Sequence, residues 1–303
     1  MGFLQNMRTG RSVALGARML VGRAGTCTLR IDSRLVSNEH ASLWWEDGGW
    51  YLRDTGSRNG TWLDGRALKA GERVPVPPGA TVIFGHEEHT WTLAEAGPPV
   101  ALARAPDGTL LAADGGVLCL PSGEDPQVMI FEAADGGWVV EGDAGTTSVH
   151  DGHALAVEGT AWILHLPTGN AATSAPSTPP LALHNLALHF RVSQDEEYVE
   201  IELSHPGGRT PLVNRAHFEL LLLLARARLE DTGHPHAEQG WRYADEVQRM
   251  LGVEKPIFNL HVFRARQQLG EVGVAGAAGV VERRASTGQI RLGVDRVEVG
   301  ALG

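Results

Sequence analysis

The sequence predicts a multidomain chain: two β-rich segments, then an α+β module. Three observations predict it. Residues 1–97 alternate short β-branched and aromatic stretches with glycine or aspartate turns. Residues 168–180 are small, polar and proline-rich, with nothing to bury. Beyond them the apolar spacing passes from strand alternation to a helical stripe. A length of 303 residues provides for two or three such units, each with its own core.

In the first segment the strands are Arg18–Gly22, Thr28–Ile31, Ala41–Trp45, Trp50–Arg53, Thr61–Leu63 and Thr90–Leu93. Glu46-Asp47-Gly48-Gly49 and Asp64-Gly65 are hairpin signals between them. Many short strands at this spacing predict a β-sandwich over 1–97. Residues 98–167 repeat parts of that pattern. Asp47-Gly48-Gly49-Trp50 recurs as Asp135-Gly136-Gly137-Trp138, Asp64-Gly65 as Asp151-Gly152, and Thr90-Trp91-Thr92-Leu93 as Ala161-Trp162-Ile163-Leu164. A second, degenerate copy of the sandwich is expected there. Residues 168–184 form a linker, whose proline-rich part, 168–180, has a typical span of about 20 Å as a flexible chain.

The last segment, 185–303, opens on two alternating strands, Ala187–Val192 and Tyr198–Leu203. Asn214 is placed to cap a helix over 215–229, with Phe218, Leu221, Leu222 and Ala225 on one face. Tyr243–Leu251 reads as a second helix stopped by Gly252, and Pro256–Leu269 as a third with proline in its first turn. Val280–Arg284 and Gln289–Leu292 flank a turn and make a hairpin.

Charge is unevenly spread. The net −10 resides almost wholly in the middle, where Arg104 stands alone against 10 Asp/Glu. Residues 1–97 carry 11 Lys/Arg against 10 Asp/Glu, and 185–303 carry 14 against 16. Net charge therefore argues little about nucleic acid. Two cysteines, Cys27 and Cys119, leave no disulfide framework or cysteine zinc site. The apolar run Leu220–Ala225 is far too short to span a bilayer, and the N-terminus lacks a secretion-signal pattern. A cytoplasmic, membrane-free protein is expected.

Three patches carry the functional signal: Gly22-Arg23, Ser37 with His40, and Ser57-Arg58-Asn59-Gly60-Thr61. In this order they resemble the forkhead-associated (FHA) domain, a reader of phosphothreonine. The resemblance implies that Arg23 and Ser37 bind the phosphate, Asn59 holds the ligand backbone, and Arg58 approaches the ligand. It also implies that Gly22, His40 and Gly60 hold the loops in shape. The chemistry is apt: a phosphothreonine carries nearly two negative charges and three acceptors, met by a fixed cation and neutral donors. Many family members carry a basic residue after the serine, where this chain has Asn38. The middle copy has no arginine in place of Arg23, so scaffold or protein contact is expected of it.

Leu212–Leu221, Phe258–Leu269 and Val281–Leu292 resemble the first helix, recognition helix and wing of the winged helix that ends bacterial response regulators. That resemblance implies a DNA face of Lys255, Asn259, His261, Arg264 and Arg266, with Arg283, Arg284 and Arg291 in the wing. Gln267 and Gln268 stand where the family is basic, and residues 214–291 carry only 11 basic against 9 acidic side chains.

His234-Pro235-His236 lacks further ligands, Gly273–Gly279 lacks the strand and Lys-Ser/Thr of a P-loop, and Ser286 and Ser204-His205 lack a triad. No enzyme and no cofactor are expected. The sequence thus reads as a phosphothreonine-dependent transcriptional regulator coupling a Ser/Thr protein kinase to double-stranded DNA. The alternative is a phospho-dependent adaptor whose winged helix contacts protein. The ligand is a phosphothreonine protein or the chain's own linker, at Thr173 or Thr178.

Overall fold

The computed structural model describes residues 1–143, 145–167, 181–284 and 287–302. Thr173, Thr178 and Ser286 lie outside the described residues. The chain divides into two compact units, one of residues 1–113 with 150–167, the other of 114–149 with 181–302.

The first unit contains the expected sandwich. One sheet has six strands in the order Ser12–Ala14, Gly2–Asn6, Thr90–Ala96, Thr81–Phe84, Thr61–Leu63 and Arg66–Ala67. The facing sheet has five: Leu29–Arg30, Arg18–Gly22, Ala41–Glu46, Gly49–Asp54 and Arg73–Val76. Side chains alternate across each strand, so Met19, Val21, Leu43, Trp50 and Leu52 meet Leu4, Val82, Phe84, Trp91 and Leu93 in one core. A four-stranded sheet of Leu110–Ala112, Leu102–Arg104, Thr160–His165 and Ala154–Val157 completes the unit.

The second unit begins with a four-stranded meander: Val117–Pro121, Pro126–Glu132, Trp138–Gly142 and Gly145–Val149. The expected linker lies outside the described residues over 168–180 and is corrected over 181–184, where Leu181 and Leu183 pack on the core and Ala182 is bridged to Ala275. Then come Ala187–Val192, Val199–His205 and Gly208–Pro211, joined by Arg296–Ala301, which pairs parallel with Ala187–Val192. Three helices follow: α1 (Phe218–Glu230), α2 (Ala244–Leu251) and α3 (Lys255–Glu271). Val281–Arg284 and Gln289–Leu292 form a hairpin edged by Arg242–Tyr243.

The expected FHA-like domain over 98–167 is corrected. Its residues are divided between the two units, as the four-stranded sheet of the first and the meander of the second. The repeated tetrapeptide makes two different turns. Asp47 and Gly48 both take the left-handed conformation (φ 51° and 76°), closing a two-residue hairpin. At the second site Ala133 and Gly137 close a longer loop, with left-handed backbone at Gly136 and not at Asp135. The four letters encode a turn, and the pairing around it differs.

The α1 start is also corrected. The helix begins at Phe218 with His217 at its N-cap position. Asn214 instead donates from Nδ2 to the Val199 carbonyl, tying the chain to the preceding strand. Gly252 ends α2 in the left-handed conformation, as its position predicts.

Helix α3 is buried along most of its length. Phe258, Val262, Ala265 and Leu269 belong to a core shared with α1 and with Cys119, Met129 and Phe131 of the meander. A Cβ on Gly270 would lie 2.0 Å from the Gly115 carbonyl oxygen, and one on Gly115 would lie 2.6 Å from that of Gln267. The missing side chains permit this close approach of helix and loop.

Candidate functional site

The loops at one end of the sandwich bring Arg23, Ser37, Arg58 and Asn59 into one hydrogen-bonded framework. The Arg23 amide donates to the Ser37 carbonyl (2.9 Å), and the Ala24 amide to that of Asn38 (3.1 Å). Gly22 makes this crossing possible: a Cβ there would sit 2.2 Å from the Asn38 oxygen. The buried Cys27 thiol donates to the same oxygen (3.1 Å), and burial, with Glu39 nearby, raises its pKa.

Ser37 joins the next loop, its Oγ accepting the Arg58 amide at 3.0 Å. That leaves its hydroxyl hydrogen for a ligand. Asn59 Nδ2 donates to the Leu35 carbonyl (2.8 Å), with no partner recorded for Oδ1 among the described residues. The guanidinium groups of Arg23 and Arg58 are exposed and make no ion pair among the described residues. Other arginines of this unit, such as Arg66 and Arg73, are paired with carboxylates.

His40 is the strut beneath. It is fully buried, and its Nδ1 accepts the Ser37 amide (3.0 Å). The opposite nitrogen, Nε2–H, therefore donates to the Gly60 carbonyl (3.0 Å). Burial lowers its pKa, outweighing the Gly60 contact and Asp54, so the ring is neutral at pH 7.

A second strut was not singled out in the sequence. Asp54, at a strand end, accepts the Gly56 and Ser57 amides (2.8 Å each) and the hydroxyls of Ser57 and Thr61 (2.6 Å each). Burial raises its pKa, but these four donors outweigh it and hold the carboxyl below the ordinary range. The run Asp54-Thr55-Gly56-Ser57 carries the signal, since aspartate commonly folds a turn onto its own side chain.

The residues expected to face DNA are placed otherwise. Arg266 is 1% exposed and Asn259 is 8% exposed, which removes both from any surface. Arg266 donates from both terminal nitrogens to buried Glu141 (2.9 and 3.0 Å), and Arg283 Nε adds a third bond to that carboxylate (2.8 Å). Lys255 pairs with Asp143. Arg284 is held by both Glu238 oxygens (2.8 Å each), and Arg291 by Glu282 (2.6 Å), with Trp241 beneath both. Arg264 donates to Gln267 (3.3 Å) and lies over the Phe263 ring (5.8 Å), and His261 is half-buried with its pKa lowered by burial. Of the expected basic face, Asn259 and Arg266 are thus buried, and Lys255, Arg266, Arg283, Arg284 and Arg291 are ion-paired, with Glu141 and Asp143 of the meander and with Glu238 and Glu282.

Comparison with known proteins assigns the N-terminal loops. The FHA domain family matches residues 19–85. FhaB of Mycobacterium tuberculosis (strain ATCC 25618 / H37Rv), an FHA domain-containing protein, is 38% identical over 69 residues, 22% of this chain and 44% of that protein. Its Mycolicibacterium smegmatis counterpart is 40% identical over 77 residues, 25% of this chain and 48% of that one. The chain spans about half the length of these curated relatives. Among solved structures, Mycobacterium tuberculosis EmbR in complex with a low-affinity phosphopeptide is 21% identical. That likeness covers 32% of this chain and 25% of EmbR, with a TM-score of 0.29. The FHA domain of Chlamydia trachomatis CT664 is also 21% identical, covering 31% of this chain and 95% of that one, with a TM-score of 0.26. The FHA expectation for the N-terminal segment holds over residues 19–85.

Proposed function

We propose that this chain, through the FHA domain at residues 19–85, docks onto a phosphothreonine that a Ser/Thr kinase has installed on a cytoplasmic partner protein. The observation that carries the reading is the Arg23 guanidinium, without an ion pair among the described residues, on a rigid crossing beside the Ser37 hydroxyl. A dianion there gains charge-assisted bonds from groups whose backbone is already held in place. Arg58 and the free oxygen of Asn59 extend the contact along the ligand. Among the described residues no helix is long and apolar enough to cross a membrane.

Fluorescence anisotropy with a phosphothreonine peptide library and its unphosphorylated twins tests this. Saturable binding of phosphorylated members only, abolished by Arg23→Ala, is the expected result. Equal binding of both sets removes the reading.

For the C-terminal unit, the adaptor reading is favoured over the DNA-binding regulator. Its support is the burial of Arg266 against Glu141, which turns the inferred recognition helix toward protein. A winged-helix module used for protein contact accommodates that arrangement, whereas DNA reading would be left to the opposite face of α3, where Arg264 lies.

A further inference from the structure

The first unit contains a second concave site, on the outer face of its five-stranded sheet. This cavity of about 440 Å³ is lined by Arg18, Thr26, Ser42, Trp44, Arg53 and His165, over a floor that includes Met19 and Leu43. The volume is within the range for small-ligand sites.

Four observations give the site its chemistry. Among the described residues no carboxylate lines it. Arg18 and Arg53 have no ion pair among the described residues, and Arg53 lies over the Trp44 ring at 5.9 Å. The Trp44 ring is itself positioned, donating from Nε1 to Glu46 (2.9 Å) and stacking on Tyr51 at 5.9 Å between centroids. Finally, the rest of the lining includes neutral hydrogen-bonding side chains, those of Thr26, Thr28 and Ser42.

Strand register explains the convergence. Leu20, Ser42, Arg53 and Arg73 stand in one cross-strand row, and Arg18, Trp44, Tyr51 and Pro75 in the neighbouring row. Both rows face outward, because Met19, Leu43 and Leu52 take the inner face. His165 comes from the last strand of the four-stranded sheet.

We infer that this cavity binds a small anion carrying a flat aromatic ring, of nucleoside monophosphate size. The guanidinium groups of Arg18 and Arg53 take the anion, and the Trp44 indole takes the ring. The site is independent of the phosphothreonine loops, since none of Arg23, Ser37, Arg58 or Asn59 lines it.

Isothermal titration calorimetry of the full chain with AMP, adenosine and inorganic phosphate tests the inference. AMP is expected to bind, with adenosine and phosphate each at least tenfold weaker. Arg53→Ala and Arg18→Ala, checked for folding by circular dichroism, are expected to weaken AMP at least tenfold. Arg23→Ala is expected to leave AMP binding unchanged. Three results overturn the inference: no heat with AMP at millimolar concentration, phosphate binding as tightly as AMP, or loss of AMP binding in Arg23→Ala with retention in Arg53→Ala. The last would place the anion in the phosphothreonine loops.

Discussion

Glu141 and Arg266, 125 positions apart, form a two-pronged ion pair in the interior of the C-terminal unit, with side chains 4% and 1% exposed. Arg266 Nη2 also donates to the Val281 carbonyl (2.7 Å), and its guanidinium lies over the Phe131 ring at 4.6 Å. The meander, α3 and the hairpin are thereby pinned at one point. Removing one partner of such a pair leaves a buried charge without compensation, which costs about 3–5 kcal/mol. Glu141→Ala should destabilise this unit by that amount in urea unfolding of the full chain. A loss under about 1 kcal/mol, typical of exposed pairs, would show that the seam is wet.

Acid should weaken the same unit in two stages. Burial pushes the His217 pKa down to about 4, while its Nε2–H donates to Gln268 Oε1 (2.8 Å). The unfolded chain therefore binds a proton near pH 6.5 that the folded chain refuses. Stability falls as pH drops from about 6.5 to about 4, by an amount on the order of 3 kcal/mol at the linkage scale per pKa unit. Below that, Glu141 contributes. Burial raises its pKa, but Arg266 and Arg283 outweigh this and hold it low, so its stabilisation is present above about pH 4.3 and lost on further acidification. His217→Gln keeps a donor for Gln268 and cannot gain the proton. Urea midpoints across pH 4–7 should flatten in that variant, and an unchanged slope would exclude His217 as the source.

The loops of the FHA domain were legible because their signal is local. Gly22-Arg23, Ser37 with His40, and Arg58-Asn59-Gly60 fall within forty residues and hold one another directly. The three helices were legible from apolar spacing. What the sequence hid is long-range. Arg266 on a helix resembles any surface arginine until strand Trp138–Gly142 places Glu141 against it. The strand Arg296–Ala301 is set by parallel pairing with residues about 110 positions earlier, which leaves no local mark. The repeated Asp-Gly-Gly-Trp misled because a turn signal says nothing about which strands pair beyond it.

Gly22→Ala tests the loop crossing with one methyl group. The added Cβ would lie 2.2 Å from the Asn38 oxygen and 2.9 Å from Cys27 Sγ, so backbone must move. Overpacking of this kind costs about 1–3 kcal/mol. The thermal midpoint of the FHA-containing unit should fall accordingly, and phosphopeptide affinity should fall with it as Arg23 shifts. Unchanged affinity in a destabilised variant would mean that the crossing serves folding alone.

A salt series against double-stranded DNA fragments separates the two readings of the C-terminal unit. DNA binding depends on neutralising phosphates, so a true binder tightens steeply as salt is lowered. Lys255, Arg266, Arg283, Arg284 and Arg291 are already paired with carboxylates, which leaves few cations for phosphates. No binding is expected even at about 50 mM salt, where nonspecific DNA affinity is strong. A log–log slope of several charges would restore the regulator reading.

At the FHA site, single substitutions should separate phosphate contacts from supports. Ser37→Ala removes one hydroxyl donor and also releases the Arg58 amide, so affinity should fall by about 1.5–3 kcal/mol, some tenfold to a hundredfold. Asn59→Ala loses the Leu35 tie and the ligand contact, with a similar cost. Thr61→Ala touches no ligand, yet takes one of four donors from buried Asp54. It should lower stability by about 1–3 kcal/mol while leaving the affinity of the folded fraction near wild type. Anisotropy titrations paired with urea unfolding distinguish the two classes. Should Ser37→Ala lose stability and keep its affinity, the hydroxyl is a strut and the phosphate is held by the arginines alone.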